Sequence, residues 1–186
     1  MSTQDGNMKL VLVSAGHSNR DPGAVNPALG LHEADLTVDL RNMIAFYLAR
    51  DGVPFITDGE GAENKTLNDA IKLARQADIA IELHFNAAAN KTVKGIEVLA
   101  AEKDRMLAQR IAGAIHSVTK SPLRGDKGYK PENAGQHARL GFVRSGGLVV
   151  EVEFISNDGY IQSYLDVKWL VAREIAGVLK AEALGL

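Results

Sequence analysis

The chain has 186 residues, no cysteine, 46% apolar and 24% charged residues, and 21 Lys and Arg against 23 Asp and Glu. That length predicts one domain with a core large enough to need no disulfide, and the missing cysteine excludes thiolate metal sites and a thiol nucleophile. A net charge of −2 with 5% aromatics argues against a basic nucleic-acid face or a base-stacking platform.

Residues 1–7 are polar and read as a flexible leader, so the domain is expected over 8–186. The first apolar run, Lys9 to Val13, is too short to cross a membrane, and no basic stretch precedes it. Neither a signal peptide nor a membrane span is expected, and synthesis in the cytoplasm is. Leu10–Ser14 reads as a buried strand ending before Gly16. Leu36, Leu40, Ile44 and Leu48 recur every four residues and predict a helix over Glu33–Arg50, closed by Gly52. Val53–Thr57 is a second strand. Leu67, Ala70, Ile71 and Ala74 mark a helix ending near Gln76. Ile79–Phe85 and Gly95–Ala100 are strands, and Lys103–Thr119 is a helix. Arg124 to Gly135 reads as a long loop. Leu148–Phe154 is a β-branched strand, and Tyr164–Leu184 a closing helix. The alternation predicts an α/β fold: a mostly parallel twisted sheet of about six strands with helices on both faces. In such sheets ligands bind beyond the carboxyl ends of the strands.

Those ends carry the chemistry. The first strand runs into Ala15-Gly16-His17, the third holds Glu82-Leu83-His84-Phe85-Asn86, and the late strand reads Val149-Val150-Glu151-Val152-Glu153-Phe154. Glu33 opens the first helix. Taken singly, His17 could be a hydrogen-bonded loop residue, and Glu33 a carboxylate complementing the helix dipole. His84 sits in an apolar strand and needs a partner if buried. Strand periodicity puts Val149, Glu151 and Glu153 on one face, where two carboxylates need positive charge nearby. Two histidines and a carboxylate gathered at one sheet edge suit a catalytic Zn²⁺ site with an open position. His32 is an alternative ligand beside Glu33. His116 reads as solvated, and His137 as a loop residue that could meet substrate. No Walker motif and no G-x-S-x-G elbow is present.

As an ordered set these segments resemble the zinc-dependent N-acetylmuramoyl-L-alanine amidases of bacterial autolysins and phage endolysins. The matching stretches are Ala15-Gly16-His17, Asp21-Pro22-Gly23-Ala24, Glu33-Ala34-Asp35-Leu36, Leu83-His84-Phe85-Asn86-Ala87, Arg124-Gly125 and Val150-Glu151 with Phe154-Ile155-Ser156-Asn157. The resemblance implies a fold similar to zinc exopeptidases and one Zn²⁺ per chain. It implies His17, Glu33 and His84 as metal ligands and Glu151 as the catalytic residue, with substrate contacts expected of Asn86, Arg124 and Glu153. The implied reaction is hydrolysis of the amide between N-acetylmuramic acid and L-alanine in peptidoglycan, in an endolysin or a bacterial amidase. The other readings are a zinc peptidase cutting another stem-peptide bond and an inactive wall-binding module. The expected partner is peptidoglycan, without nucleic acid or membrane, and the expected state is a monomer. Three positions depart from the family pattern: Ser14 replaces an acidic residue before Ala-Gly-His, Glu82 replaces a serine, and Glu153 replaces a glycine.

Overall fold

The apolar runs become a central sheet whose inner strands are buried on both faces. A computed structural model describes residues 8–133 and 140–186. The leader and His137 lie outside the described residues. In chain order the strands are β1 (Val11–Ala15), β2 (Val25–Asn26), β3 (Leu31–His32), β4 (Phe55–Thr57), β5 (Ile79–Asn86), β6 (Glu97–Ala100), β7 (Tyr129–Pro131) and β8 (Leu148–Phe154). The helices are α1 (Glu33–Arg50), α2 (Leu67–Ala74), α3 (Arg105–Thr119), α4 (Gly141–Arg144) and α5 (Asp158–Ala183). The main sheet runs β4-β1-β5-β8-β6-β7, while β2 and β3 pair separately. Within the main sheet every neighbouring pair is parallel except β6 with β8.

Period-two alternation divides the core. Val11, Val13, Ile81, Leu83, Val150 and Val152 face the layer of α1, α3 and α5. Leu12, Ala80, Leu99 and Val149 face α2 and α4. On this second face each inner strand turns from apolar to polar toward the same edge. Leu12 gives way to Ser14, Ala80 to Glu82 and His84, and Val149 to Glu151, while antiparallel β6 brings Glu97 opposite Glu151. Cross-strand register therefore assembles a polar row at the carboxyl edge before any loop contributes.

The structure extends the sequence reading in four places. The segment before α1 contains the β2–β3 hairpin, held by buried Asn26, whose amide donates to the Ile155 carbonyl and to Asp158. The stretch read as a loop after Arg124 contains β7, which takes its place at the sheet edge through pairing with β6. The short helix α4 precedes β8. Helix α5 starts at Asp158, earlier than its apolar periodicity, because the Asn157 side chain caps the Tyr160 N–H. Among the described residues no helix is long and apolar enough to cross a membrane.

One ion pair is fully buried. Arg41 on α1 donates to Asp58 at 3.0 Å, and both side chains are inaccessible to solvent. Asp58 also accepts from Ser14 Oγ and from the Ala15 N–H, fixing the end of β1. The Arg41 guanidinium also donates to the carbonyls of Gly61 and Glu63 and to Asn42 Oδ1. Removing one partner of such a pair strands the other charge. Asp58→Ala is expected to cost about 3–5 kcal/mol of unfolding free energy in denaturant titration. A loss near zero would show that the pair does not brace the end of β1.

Candidate active site

Three side chains from distant segments converge beyond β1 and β5. His17 Nε2 lies 2.9 Å from Glu33 Oε2, and His84 Nδ1 lies 2.9 Å from Glu33 Oε1. The two rings meet edge to face, with centroids 5.0 Å apart. One donor atom from each of the three residues fits within a 4.8 Å span. Glu33 is fixed from behind: Oε1 accepts the Phe85 N–H and Oε2 the Ala24 N–H, each at 2.9 Å. Its remaining lone pairs face the imidazoles.

Local backbone geometry explains why these residues can meet. His17 sits at φ 69°, a left-handed conformation that is strained for a side-chain-bearing residue. The carbonyl before it, on Gly16, is held by Thr37 Oγ1 and Asn64 Nδ2. Gly16 leaves room for the His84 ring, since a Cβ there would stand 2.4 Å from His84 Nε2. Gly23 does the same for the other two residues: its Cβ would lie 2.6 Å from His17 Nε2 and 2.8 Å from Glu33 Oε2. Two imidazoles and a carboxylate with aligned lone pairs, packed against glycines, form a donor set that fits a divalent cation.

Each histidine has a carboxylate on its far nitrogen. Asp21 Oδ2 is 3.0 Å from His17 Nδ1, and Glu82 Oε2 is 3.2 Å from His84 Nε2. Asp21 thus supplies the outer partner for His17 although Ser14 is not acidic. These contacts link the two histidines and the three carboxylates into one hydrogen-bonded set. Burial alone would lift Glu33, but hydrogen bonds from His17 and His84 overcome it and hold the carboxyl well below the usual carboxylate range. Burial works against protonated His84, yet hydrogen bonds to Glu33 and Glu82 and the charge of Glu151 raise it well above 6.5. His17 is raised in the same way: burial opposes, and Glu33 and Asp21 prevail.

Glu151 stands beside this set, directly across from His84 in the β5–β8 register. It is 6% exposed, and its Oε2 has no hydrogen-bond partner. Burial pushes its carboxyl up to about 7, with His84 pulling down and Glu33 and Glu97 pushing up. Neighbouring Glu97 differs because it is fully partnered, by Asn86 Nδ2, Arg124 Nε and Lys130 Nζ. A cavity of about 480 Å³ opens onto His17, Glu33, Glu82, His84 and Glu151, with an apolar wall that includes Leu67, Leu140 and Phe142.

The remaining expected site residues are spread more widely. Asn86 lines the cavity. Arg124 does not: its guanidinium lies over the Phe154 ring and donates to Glu97 and to the Lys94 carbonyl. Glu153 is corrected as a substrate contact. It is 2% exposed, off the cavity wall, and accepts from the backbone N–H groups of Gly95 and Phe154 and from Ser121 Oγ. A bulge between β5 and β8, at His84/Asn86, breaks the pairing beside it. His32 is half-exposed, stands beside Asp35 and takes no part in the cluster. His116 is also corrected: it is partly buried, with Nδ1 against the Ser121 carbonyl, not solvated. Sequence reasoning missed Asp21, Glu82 and Glu97 as partners. The signals available were the four-residue step from His17 to Asp21 and the two-residue step from Glu82 to His84.

A profile of the family described as N-acetylmuramoyl-L-alanine amidase matches residues 11–181. The chain belongs to this amidase family. Among solved structures, a candidate N-acetylmuramoyl-L-alanine amidase from Neisseria meningitidis is 46% identical, with a TM-score of 0.85 over 95% of this chain and 96% of that one. The catalytic domain of CwlV, an N-acetylmuramoyl-L-alanine amidase from Bacillus (Paenibacillus) polymyxa var. colistinus, is 20% identical, with a TM-score of 0.80 over 96% and 99%. The catalytic domain of the CD27L endolysin targeting Clostridia difficile is 21% identical, with a TM-score of 0.69 over 95% and 97%. The last two show a shared fold. No curated protein matches the chain.

For this amidase-family site the electrostatics set a sign. His17 and His84 have folded values above 6.5, so their contribution to stability is full below 6.5 and is lost as pH rises through the raised values. Glu151, raised from 4.5 to about 7, acts in the same direction between those values. Glu33 acts oppositely, but only at and below the carboxylate range. Protein stripped of metal with a chelator is therefore expected to lose thermal stability as pH rises from about 4.5 through 7 and beyond. A melting temperature that rises over that range would contradict the ion-paired description of this donor set.

Proposed function

We propose that this chain is a zinc-dependent hydrolase of the amide between the lactyl group of N-acetylmuramic acid and the L-alanine of the peptidoglycan stem peptide. The observation that carries the reading is the convergence of His17, Glu33 and His84 beside a buried carboxyl with an unpartnered oxygen, Glu151 Oε2. Family membership supports the bond that is cut. His17, Glu33 and His84 would hold one Zn²⁺. When bound, zinc supplies Lewis acidity, polarising a carbonyl and making water acidic near neutral pH.

The chain's own residues supply the rest. Amide hydrolysis adds one water: its hydroxyl goes to the lactyl carbonyl carbon and its proton to the departing α-nitrogen of alanine. Glu151 carries that proton. A carboxyl near 7 both accepts and releases protons close to neutral pH, which is what a shuttle needs. Its free Oε2 is not tied to another group and is available for the transfer. Asp21 and Glu82 hold the far edges of the two imidazoles. Leu67, Leu140 and Phe142 give the cavity an apolar wall that sheds water around the scissile bond.

An endolysin role is not part of this proposal. The 46% identity is to a Neisseria protein, and likeness to the endolysin domain is one of fold. A peptidase reading is separated by products. Mass spectrometry of digested muropeptides is expected to show glycan with a free lactyl carboxyl and intact stem peptide with a free alanine amine. Cleavage inside the stem peptide would overturn the amidase reading. Glu151→Gln is expected to retain zinc and lose roughly 10²–10⁴-fold in turnover. Undiminished turnover in that variant would remove Glu151 from proton transfer. Chelation is expected to abolish activity in the unaltered protein, and added Zn²⁺ to restore it.

A further inference from the structure

The two histidines present opposite nitrogens to Glu33. His17 offers Nε2 and turns Nδ1 to Asp21, whereas His84 offers Nδ1 and turns Nε2 to Glu82. Which nitrogen of a neutral imidazole is free to bind a cation depends on the hydrogen bond made by the other. Asp21 is largely exposed and local, four residues from its histidine. Glu82 is different in kind. It is 4% exposed on an interior strand of the sheet, where a carboxylate is costly unless partnered. Among the described residues its one hydrogen-bond partner is His84.

We propose that Glu82 is a positioning residue for His84: its carboxylate accepts from Nε2–H, so the ring proton stays on that nitrogen and the Nδ1 lone pair points to Glu33 and the cation. This rests on the zinc reading given above. Three further observations support it. Glu82 and His84 lie two residues apart on one face of β5, so the contact is built into the strand and does not depend on a loop. Gly16 leaves space for the His84 ring at the Nε2 edge, where a Cβ would come within 2.4 Å. Glu33 Oε1 meets the ring at Nδ1, so a ring turned over would lose both carboxylate contacts together. A residue unable to accept a hydrogen bond at position 82 would leave His84 free to place its proton on either nitrogen and to rotate away from the cation.

Two measurements test this. Long-range proton–nitrogen correlation spectra of the zinc-loaded protein, labelled at histidine, are expected to show the His84 proton on Nε2 and the His17 proton on Nδ1. Zinc affinity by chelator competition is expected to fall about 10–100-fold for Glu82→Leu. Glu82→Gln, which keeps an acceptor oxygen, is expected to stay close to the unaltered protein. The inference is overturned if the His84 proton lies on Nδ1, if Glu82→Leu binds zinc as tightly as the unaltered protein, or if Glu82→Gln is as weak as Glu82→Leu. An unaltered protein that takes up no zinc overturns the metal reading and this inference with it. Zinc uptake with no effect at position 82 overturns this inference alone. Should Glu82→Leu fail to fold, the spectra of the unaltered protein still decide.

Discussion

The Glu33 carboxylate is the point on which the rest of the site depends. Two backbone N–H groups hold it from behind, and two imidazoles face its free lone pairs. Beside it stand buried Glu82 and Glu151, with the more exposed Asp21 at the rim, so carboxyl groups gather where solvent screens little. Something positive has to stand among them. Hydrogen bonds to the neighbouring carboxylates raise both histidines above 6.5, so protonated imidazoles can supply that charge. In the proposed loaded site a divalent cation replaces those protons, and both imidazoles become neutral donors. Metal uptake is then close to an exchange of about two protons for one doubly charged ion.

The sheet makes this concentration of charge possible. One face of β1, β5 and β8 is apolar where α2 and α4 cover it and polar toward the carboxyl edge, ionisable on β5 and β8. The same strands that bury Leu12, Ala80 and Val149 therefore aim Glu82, His84 and Glu151 at the cavity. The Arg41–Asp58 pair anchors the end of β1, and Thr37 and Asn64 hold the Gly16 carbonyl, so that His17 stays in its left-handed turn. Glu97, saturated by Asn86, Arg124 and Lys130, contrasts with Glu151, which keeps a free oxygen. Two carboxylates in direct cross-strand register differ by what surrounds them, and of the two only Glu151 keeps an unpartnered buried oxygen.

The architecture was legible because its signals are local. Four-residue apolar spacing marks α1, β-branched runs mark β5 and β8, and ionisable residues at strand ends point to the functional edge. The short elements were not. β2, β3 and β7 span two or three residues each, too few for a period; β2 and β3 exist through their mutual hairpin, and β7 through edge pairing with the sequence-distant β6. Glu153 shows a second limit. Period two groups it with Glu151, but the register shift at His84/Asn86 and the donors of Gly95 and Ser121 draw it into the interior as a structural brace. Glu82 and Asp21 escaped notice because an outer carboxylate is recognised by the nitrogen it touches, which a linear sequence does not display.

The central claim is that one cation is gripped jointly by His17, Glu33 and His84. Diffraction data from crystals of the zinc-loaded protein, collected on both sides of the zinc absorption edge, test it most directly. The account predicts a single strong anomalous peak bonded to His17 Nε2, to a Glu33 oxygen and to His84 Nδ1, at about 2.0–2.2 Å from each. A peak elsewhere on the molecule, or zinc-replete crystals with no peak among these three side chains, would contradict it.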